Sequence, residues 1–371
     1  MSIKRFELYF LKVIRGEKKG MVATLLRGVL WFCSLFFRVG VRFRNWAYNH
    51  GFFRSYTPPI PLVISVGNLV AGGTGKTPVT LKLGEALADG YSVAVLTRGY
   101  RSQVEKLAKP VVLSDGQGPM HPATYCGDEP YLMASRLPKA TVIVGRDRHQ
   151  SSLMAAKRGA HVILMDDGMQ HRNIVRDLEV VVVDVRDPFG GGYFLPRGLL
   201  REGVDALARA DLVILNHADD PEKLKSVKES VIDHTSAPIV ATRLTVEAIC
   251  DLSGAPQELP TNHKVGSFCG IAHPAYFRQT LVNLGLDVVK EYILPDHETL
   301  HSKKLQQFSK DVIKKGAECL ICTEKDQVKL SASLNLPLPI YWTKTSLTIV
   351  EGESNWNAFV ARSQTYLKHH V

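Results

Sequence analysis

Acidic residues are almost missing from the first sixty positions of this 371-residue chain. Glu7 and Glu17 stand there against eleven lysines and arginines: Lys4, Arg5, Lys12, Arg15, Lys18, Lys19, Arg27, Arg38, Arg42, Arg44 and Arg54. That head therefore carries +9 of a formal net charge of +10. Nucleic acid would call for positive charge spread over a folded surface with a recognisable module, and none is present. Long apolar runs are lacking too. The longest charge-free run of the head, Gly28 to Phe37, is about half what a bilayer-spanning helix needs. No small-residue cleavage site follows, which argues against a secretory signal. The six cysteines are scattered, and the pair Cys319 and Cys322 has no second pair at zinc-site spacing. They read as core residues of a reducing compartment. There is no repeat and no low-complexity tract.

What is present begins with the same head. In MVATLLRGVLWFCSLFFRVGVRFRNWAY, residues 21–48, arginines recur beside Trp31 and Trp46. A basic helix with one aromatic and aliphatic side fits an interfacial helix on an anionic membrane surface. A packed core helix is the competing reading. The whole chain, with 45% hydrophobic and 22% charged residues, is long enough for two domains with full cores.

A glycine is missing where it would be most expected. The stretch SVGNLVAGGTGKTP, Ser65 to Pro78, ends like the phosphate loop G-x-x-x-x-G-K-[ST], but the first glycine of that pattern falls on Val70. The remainder fits. Leu62–Val66 is a short apolar, β-branched strand candidate, and Pro78 suits the first turn of a helix carrying Leu81, Leu83, Ala86 and Leu87. Strand, glycine-rich loop and helix place a phosphate at a helix N-terminus. The loop residues Val70, Ala71, Gly72, Gly73, Thr74, Gly75, Lys76 and Thr77 are the expected nucleotide site, with Lys76 on the β/γ-phosphates and Thr77 on Mg²⁺.

Further strand candidates follow at 92–96, 141–144, 161–165, 179–183, 211–215 and 238–244. Their continuous β-branched runs point to strands covered on both faces, hence an α/β fold with a mainly parallel sheet and helices on both faces. The polar, proline- and glycine-bearing stretch 251–264 is the best linker. The expected organisation is a basic helical region at 1–60, a phosphate-loop core domain at 61–250 and a smaller C-terminal α/β domain at 264–371.

Polar residues collect after the strands, where ligands gather in open α/β sheets. Arg98 follows one and Arg146 another, while HVILMDDGMQH places Asp166 and Asp167 after a third, with Gln170 and His171 just beyond. A strand ending in Asp is the arrangement that holds Mg²⁺, with Asp166 the first choice and Asp167 the second. Asp128, in CGDEPY, stands at a helix start, where capping is sufficient reason for it. A phosphoryl acceptor hydroxyl needs a positioned base, and an Asp–His pair such as Asp128 with His297 of DHE supplies one, although the two lie in different halves. In LPRGLLREG, Arg197 and Arg201 either clamp an anionic substrate group or are solvated. Thr323-Glu324-Lys325-Asp326 faintly resembles the base-reading motif of GTPases.

Taken in order, SVGNLVAGGTGKTP, TRGY, GDEPYLMA, GRDR, DDGMQHR, LPRGLLRE, the late DH and TEKD resemble the tetraacyldisaccharide 4′-kinase (lipid A 4′-kinase) family over nearly the whole chain. The resemblance implies an inner-membrane-associated bacterial kinase that moves the γ-phosphate of ATP to the 4′-hydroxyl of an acylated glucosamine disaccharide 1-phosphate, making lipid IVA. It also implies a phosphate loop that tolerates Val70, catalytic Asp128 paired with His297, magnesium acids Asp166 and Asp167, and Gln170, His171 and Glu202 close to the reacting groups. In-line transfer between the domains, with ATP and Mg²⁺, is the expected mechanism. A membrane-recruited GTPase-like switch or targeting factor is the alternative, and a scaffold with vestigial nucleotide binding a third reading.

Overall fold

A computed structural model describes residues 3–14, 16–271, 273–294, 302–330, 334 and 336–370, with side chains described from residue 9. In chain order, helices α1 (Ile3–Ile14) and α2 (Met21–Asn49) precede β1 (Leu62–Gly67), α3 (Lys76–Ala88), β2 (Val93–Thr97), β3 (Val111–Asp115), α4 (Ala123–Cys126), α5 (Asp128–Arg136) and β4 (Thr141–Val144). Then come α6 (Arg148–Ala156), β5 (Val162–Asp166), β6 (Leu178–Asp184), β7 (Leu212–Asn216), α7 (Pro221–Ile232), β8 (Ile239–Asp251) and β9 (Pro256–Gln257). The chain finishes with β10 (Lys264–Cys269), α8 (Pro274–Asn283), β11 (Asp287–Ile293), α9 (Ser302–Ile313), β12 (Cys319–Thr323), α10 (Glu324–Gln327), β13 (Ile340–Glu351) and α11 (Glu353–Lys368).

The chain forms two compact units, each built from separated stretches. One comprises Met1–Tyr91, Ala155–Arg243 and Ile349–Val371, the other Ser92–Met154 and Leu244–Thr348. The sequence reading anticipates contiguous domains; here residues 92–154 leave the company of the phosphate-loop strand and α11 joins it. In the first unit the strands run β8-β7-β6-β1-β5, and the neighbours pair in parallel. Each residue of β1, β5, β6 and β7 is buried, which is why these strands read as near-continuous apolar runs, Ser65 and Glu179 being the interior exceptions. The N-terminus of α7 shows local chemistry at work. Asp220 caps it, accepting from the Glu222 and Lys223 amides at 3.0 and 3.2 Å, and Pro221 opens it.

In the second unit β2 and β4 pair in parallel, and β3 adds an antiparallel strand beside β4. A second run, β11-β10-β12-β13, pairs in parallel. Its core gathers Phe268, Leu305, Phe308, Val312, Leu320 and Trp342, and the spacing of Leu305, Phe308 and Val312 puts one face of α9 into it. The expected linker at 251–264 opens as a hairpin. β9 pairs antiparallel with β8, and the Asp251 carboxylate takes the Ser253 and Ala255 amides at 2.9 and 3.1 Å.

Helix α2 is much longer than the charge-free run inside it. At 29 residues it is long and apolar enough, by length and composition, to cross a membrane. Ala23, Leu30, Ser34, Val41 and Ala47 form a narrow buried stripe. The other sides leave Trp31, Phe32, Phe36, Phe43 and Trp46 exposed.

Candidate active site

The phosphate loop joins β1 to α3, and its foot explains the missing glycine. Val70 is buried in the core of the first unit and bridges Leu200, while the Ala71 amide donates to the Leu199 carbonyl at 2.7 Å. The chain is extended there and has no need of a glycine. Val70 and Ala71 are thus engaged in packing and pairing, although both belong to the expected nucleotide stretch. Beyond them Gly72 and Gly75 take φ of 119° and 87°, conformations that L side chains rarely adopt. At Gly75 a Cβ would lie 1.9 Å from Asn216 Nδ2. Asn216, at the end of β7, donates to the Thr74 carbonyl at 3.0 Å and accepts from Thr242 Oγ1 at 3.1 Å. A residue two strands away thereby braces the loop.

Asn68 is the hub inside the turn. Its amide nitrogen donates to Thr74 Oγ1 at 2.9 Å, and its side-chain oxygen accepts from Lys76 Nζ at 3.3 Å and from Arg201. Its backbone carbonyl accepts from Gln170 Nε2 at 3.0 Å. Lys76 Nζ also lies 3.5 Å from Asp167, which Arg201 grips with two bonds of 2.9 and 2.8 Å. Burial alone would raise the Asp167 carboxyl, but Lys76 and Arg201 outweigh it and hold the group well below the usual carboxylate range. Asp167 adopts φ of 53°, and Gly168 donates to the Val66 carbonyl at 3.1 Å, so the acidic turn folds back onto β1. A Cβ on Gly67 would meet Met169 Cβ at 2.4 Å, so glycine there permits this contact. Asp166 ends β5, buried and in register with Val66. His171 closes the turn, its amide donating to the Gly168 carbonyl at 2.8 Å. By type, the Thr77 hydroxyl and the Asp166 and Asp167 carboxylates are hard oxygen donors, which suit Mg²⁺.

Glu202 turns elsewhere. It is fully buried, and its carboxylate accepts from Arg44 at 3.3 Å, Asn45 at 2.9 Å and Arg209 at 2.9 Å. Arg172 strengthens the same junction with bonds to the Asn45 carbonyl and Asn49 Oδ1 at 3.2 and 2.7 Å. The acid expected near the metal therefore anchors α2 in this structure, next in sequence to the Arg201 that holds Asp167. Arg197 also has partners: it lies 4.4 Å from the Tyr193 ring centroid and donates to the Ile14 carbonyl at 3.3 Å.

In the second unit Asp128 is the first residue of α5, directly after Gly127 with φ of 99°. Its carboxylate lies 3.5 Å from Lys329. Arg98 pairs with Glu105 at 2.7 Å, and Arg146 is exposed at the end of β4. His297 lies outside the described residues. Cys126, beside Gly127, is buried, and that burial pushes its thiol up to about 12, so it is no nucleophile at neutral pH. Cys319 and Cys322 are likewise buried and free. Asn68 and Arg201 lie within the SVGNLVAGGTGKTP and LPRGLLRE stretches and Lys329 beyond TEKD, and only the fold shows which of the expected residues they touch.

Residues 26–364 match the family model described as tetraacyldisaccharide-1-P 4′-kinase. The chain belongs to this kinase family. It is similar to the tetraacyldisaccharide 4′-kinase of Anaeromyxobacter sp. (strain K), 38% identical over 327 residues that cover 86% of this chain and 85% of the relative. The corresponding protein of Chlamydia pneumoniae is 37% identical over 299 residues, 79% of each chain. A crystal structure of LpxK from Aquifex aeolicus in complex with ATP superposes with a TM-score of 0.71 at 28% identity, covering 91% of this chain and 99% of that one. Family and fold agree with the resemblance carried by the motifs.

Proposed function

We propose that this chain is an ATP-dependent kinase that transfers the γ-phosphate to the 4′-hydroxyl of a tetraacyldisaccharide 1-phosphate, forming lipid IVA for lipid A. The observation that carries this is the meeting of Lys76, Asn68, Asp167 and Arg201 at a strand–loop–helix phosphate site in a chain of this family. The amides from Gly72 to Thr77 surround the phosphates, and Lys76 neutralises charge on the γ-phosphate as it moves. Thr77, Asp166 and Asp167 would hold Mg²⁺, which when bound supplies a Lewis acid on the phosphate oxygens. Asp128 accepts the proton of the sugar hydroxyl, with His297 as its partner.

Helix α2 supports the place of work. Its exposed aromatic face and its arginines suit the anionic, cytoplasmic face of a bacterial inner membrane, where an acylated substrate lies. Nucleic acid is not among the proposed partners. A guanine-nucleotide switch is disfavoured, because the solved relative is in complex with ATP and the TEKD side chains are taken up inside the second unit. The test is incubation with labelled ATP, Mg²⁺ and the disaccharide 1-phosphate, the product being mapped by mass spectrometry. One added phosphate on the distal sugar is expected. No transfer to the disaccharide, or turnover with GTP in preference, would overturn the proposal.

A further inference from the structure

The segment Thr323–Asp326, which the phosphoryl-transfer reading leaves unused, is given over to α5. Thr323 Oγ1 caps α10, accepting the Asp326 amide at 3.3 Å. Glu324 lies 3.5 Å from Arg136, the last residue of α5, and Lys325 lies 3.2 Å from Glu129 on its first turn. Asp326 is fully buried and accepts from the Gly270 amide at 3.0 Å and Thr323 Oγ1 at 2.6 Å. The remaining attraction of that carboxylate is Lys329 Nζ at 3.0 Å, and the same ammonium lies 3.5 Å from Asp128. Lys329 is only 8% exposed, so its long side chain is held rather than sampling solvent.

We infer that Lys329, aimed by Asp326, is a positioning residue that holds the Asp128 carboxylate ionised and oriented to receive the acceptor's proton. The inference rests on the reading of Asp128 as the base. Asp326 fixes the Lys329 ammonium in place at 3.0 Å. An ammonium beside Asp128 favours the carboxylate form, the form that accepts a proton. Because Asp326 is tied to a backbone amide and to a cap, the cation cannot drift, and Asp128 at the start of a helix gains a fixed orientation. The other charged groups around α5 are already directed elsewhere. Glu129 faces Lys325, Arg136 faces Glu324, and the Cys126 thiol next to Asp128 is pushed up by burial. Strand β4 has no ionisable residue, and the one on β3, Asp115, is exposed.

A purely structural staple would make the same contacts, so the test must read chemistry. The full-length enzyme is assayed as Lys329→Met, Lys329→Arg, the paired Asp326→Asn/Lys329→Met and Asp128→Asn, with kcat, both KM values and the pH profile of kcat/KM. The paired variant leaves neither buried charge without its counterpart, which protects folding. Expected for Lys329→Met and the paired variant is a kcat lower by roughly 10–100-fold, part of what a positioned base supplies. Their KM for ATP stays within about twofold, and the acid limb of the profile moves to higher pH by about one unit. Lys329→Arg restores the limb and most of kcat. If the paired variant melts like the wild type and keeps its kcat and acid limb, the inference is wrong while the base reading survives. Undiminished turnover by Asp128→Asn would instead remove the base reading and the inference with it.

Discussion

Gly75 carries a positive φ, and Asn216 occupies the space where its side chain would be. Gly75→Ala must therefore displace either the loop or Asn216. We expect nucleotide affinity to fall at least about tenfold, the equivalent of roughly 1.4 kcal/mol, read by titration with a fluorescent ATP analogue; unchanged affinity would show that the loop does not need this geometry. Glu202 poses a different question. A buried carboxylate facing two partly exposed arginines is an anchor whose removal costs up to about 3 kcal/mol. Glu202→Gln is expected to lower Tm while leaving the Mg²⁺ concentration for half-maximal turnover where it was. A markedly higher Mg²⁺ requirement with an unchanged Tm would restore this residue to the metal site.

The helix α5 and the short α10 meet through Glu324 and Arg136, with Arg136 also donating to the Thr345 carbonyl. Burial lifts the Glu324 carboxyl from 4.5 to about 7, against the pull of Arg136 and Lys344. The folded protein therefore binds this proton more tightly than the unfolded chain, and the sign follows. Stability contributed by the protonated group is full below about pH 4.5 and is lost as pH rises to about 7, by at most about 3.5 kcal/mol at about 1.4 kcal/mol per unit. Chemical denaturation of Glu324→Gln between these pH values should show a flatter profile than the wild type; parallel profiles would sink the assignment. Helix α2 makes a separate prediction. Replacing Trp31, Phe32 and Phe36 with serine spares the buried stripe, so the fold should persist while co-sedimentation with anionic vesicles drops roughly tenfold or more. Undiminished sedimentation would mean that another surface meets the membrane.

The charge of the molecule is lopsided, +9 of +10 in its first sixty residues. Association with an anionic surface should then be steered by that head and weakened by salt. Going from roughly 0.1 M to roughly 1 M salt shortens the Debye length from about 10 to about 3 Å. Vesicle binding should fall over that range, while ATP turnover on a detergent-dispersed acceptor falls less. Salt-independent recovery would assign the attachment to apolar insertion alone. The junction of Arg44, Asn45 and Glu202 links this head to the segment bearing Arg201, so the basic head and the part that holds Asp167 belong to one unit.

Local pattern sufficed for β1, β2, β4, β5, β6 and β7, because a strand covered on both faces is apolar at nearly every position. It also located the strand–loop–helix around Lys76 and the acidic turn after β5, since glycines, a lysine and adjacent carboxylates make a compact local pattern. Strand β3 escaped notice: it is a half-polar VVLSD run, entered through Pro110, whose antiparallel partner lies 26 or more residues on. The division into units was equally out of reach, since residues 92–154 and 349–371 change company only in space. The same holds for the hub at Asn68, gripped by Arg201 133 residues away, and for Glu202, held by Arg44 158 residues away. Composition and spacing report what a segment must bury or bind. Which distant charge answers a buried carboxylate is decided by packing, because only there is water excluded and a partner required.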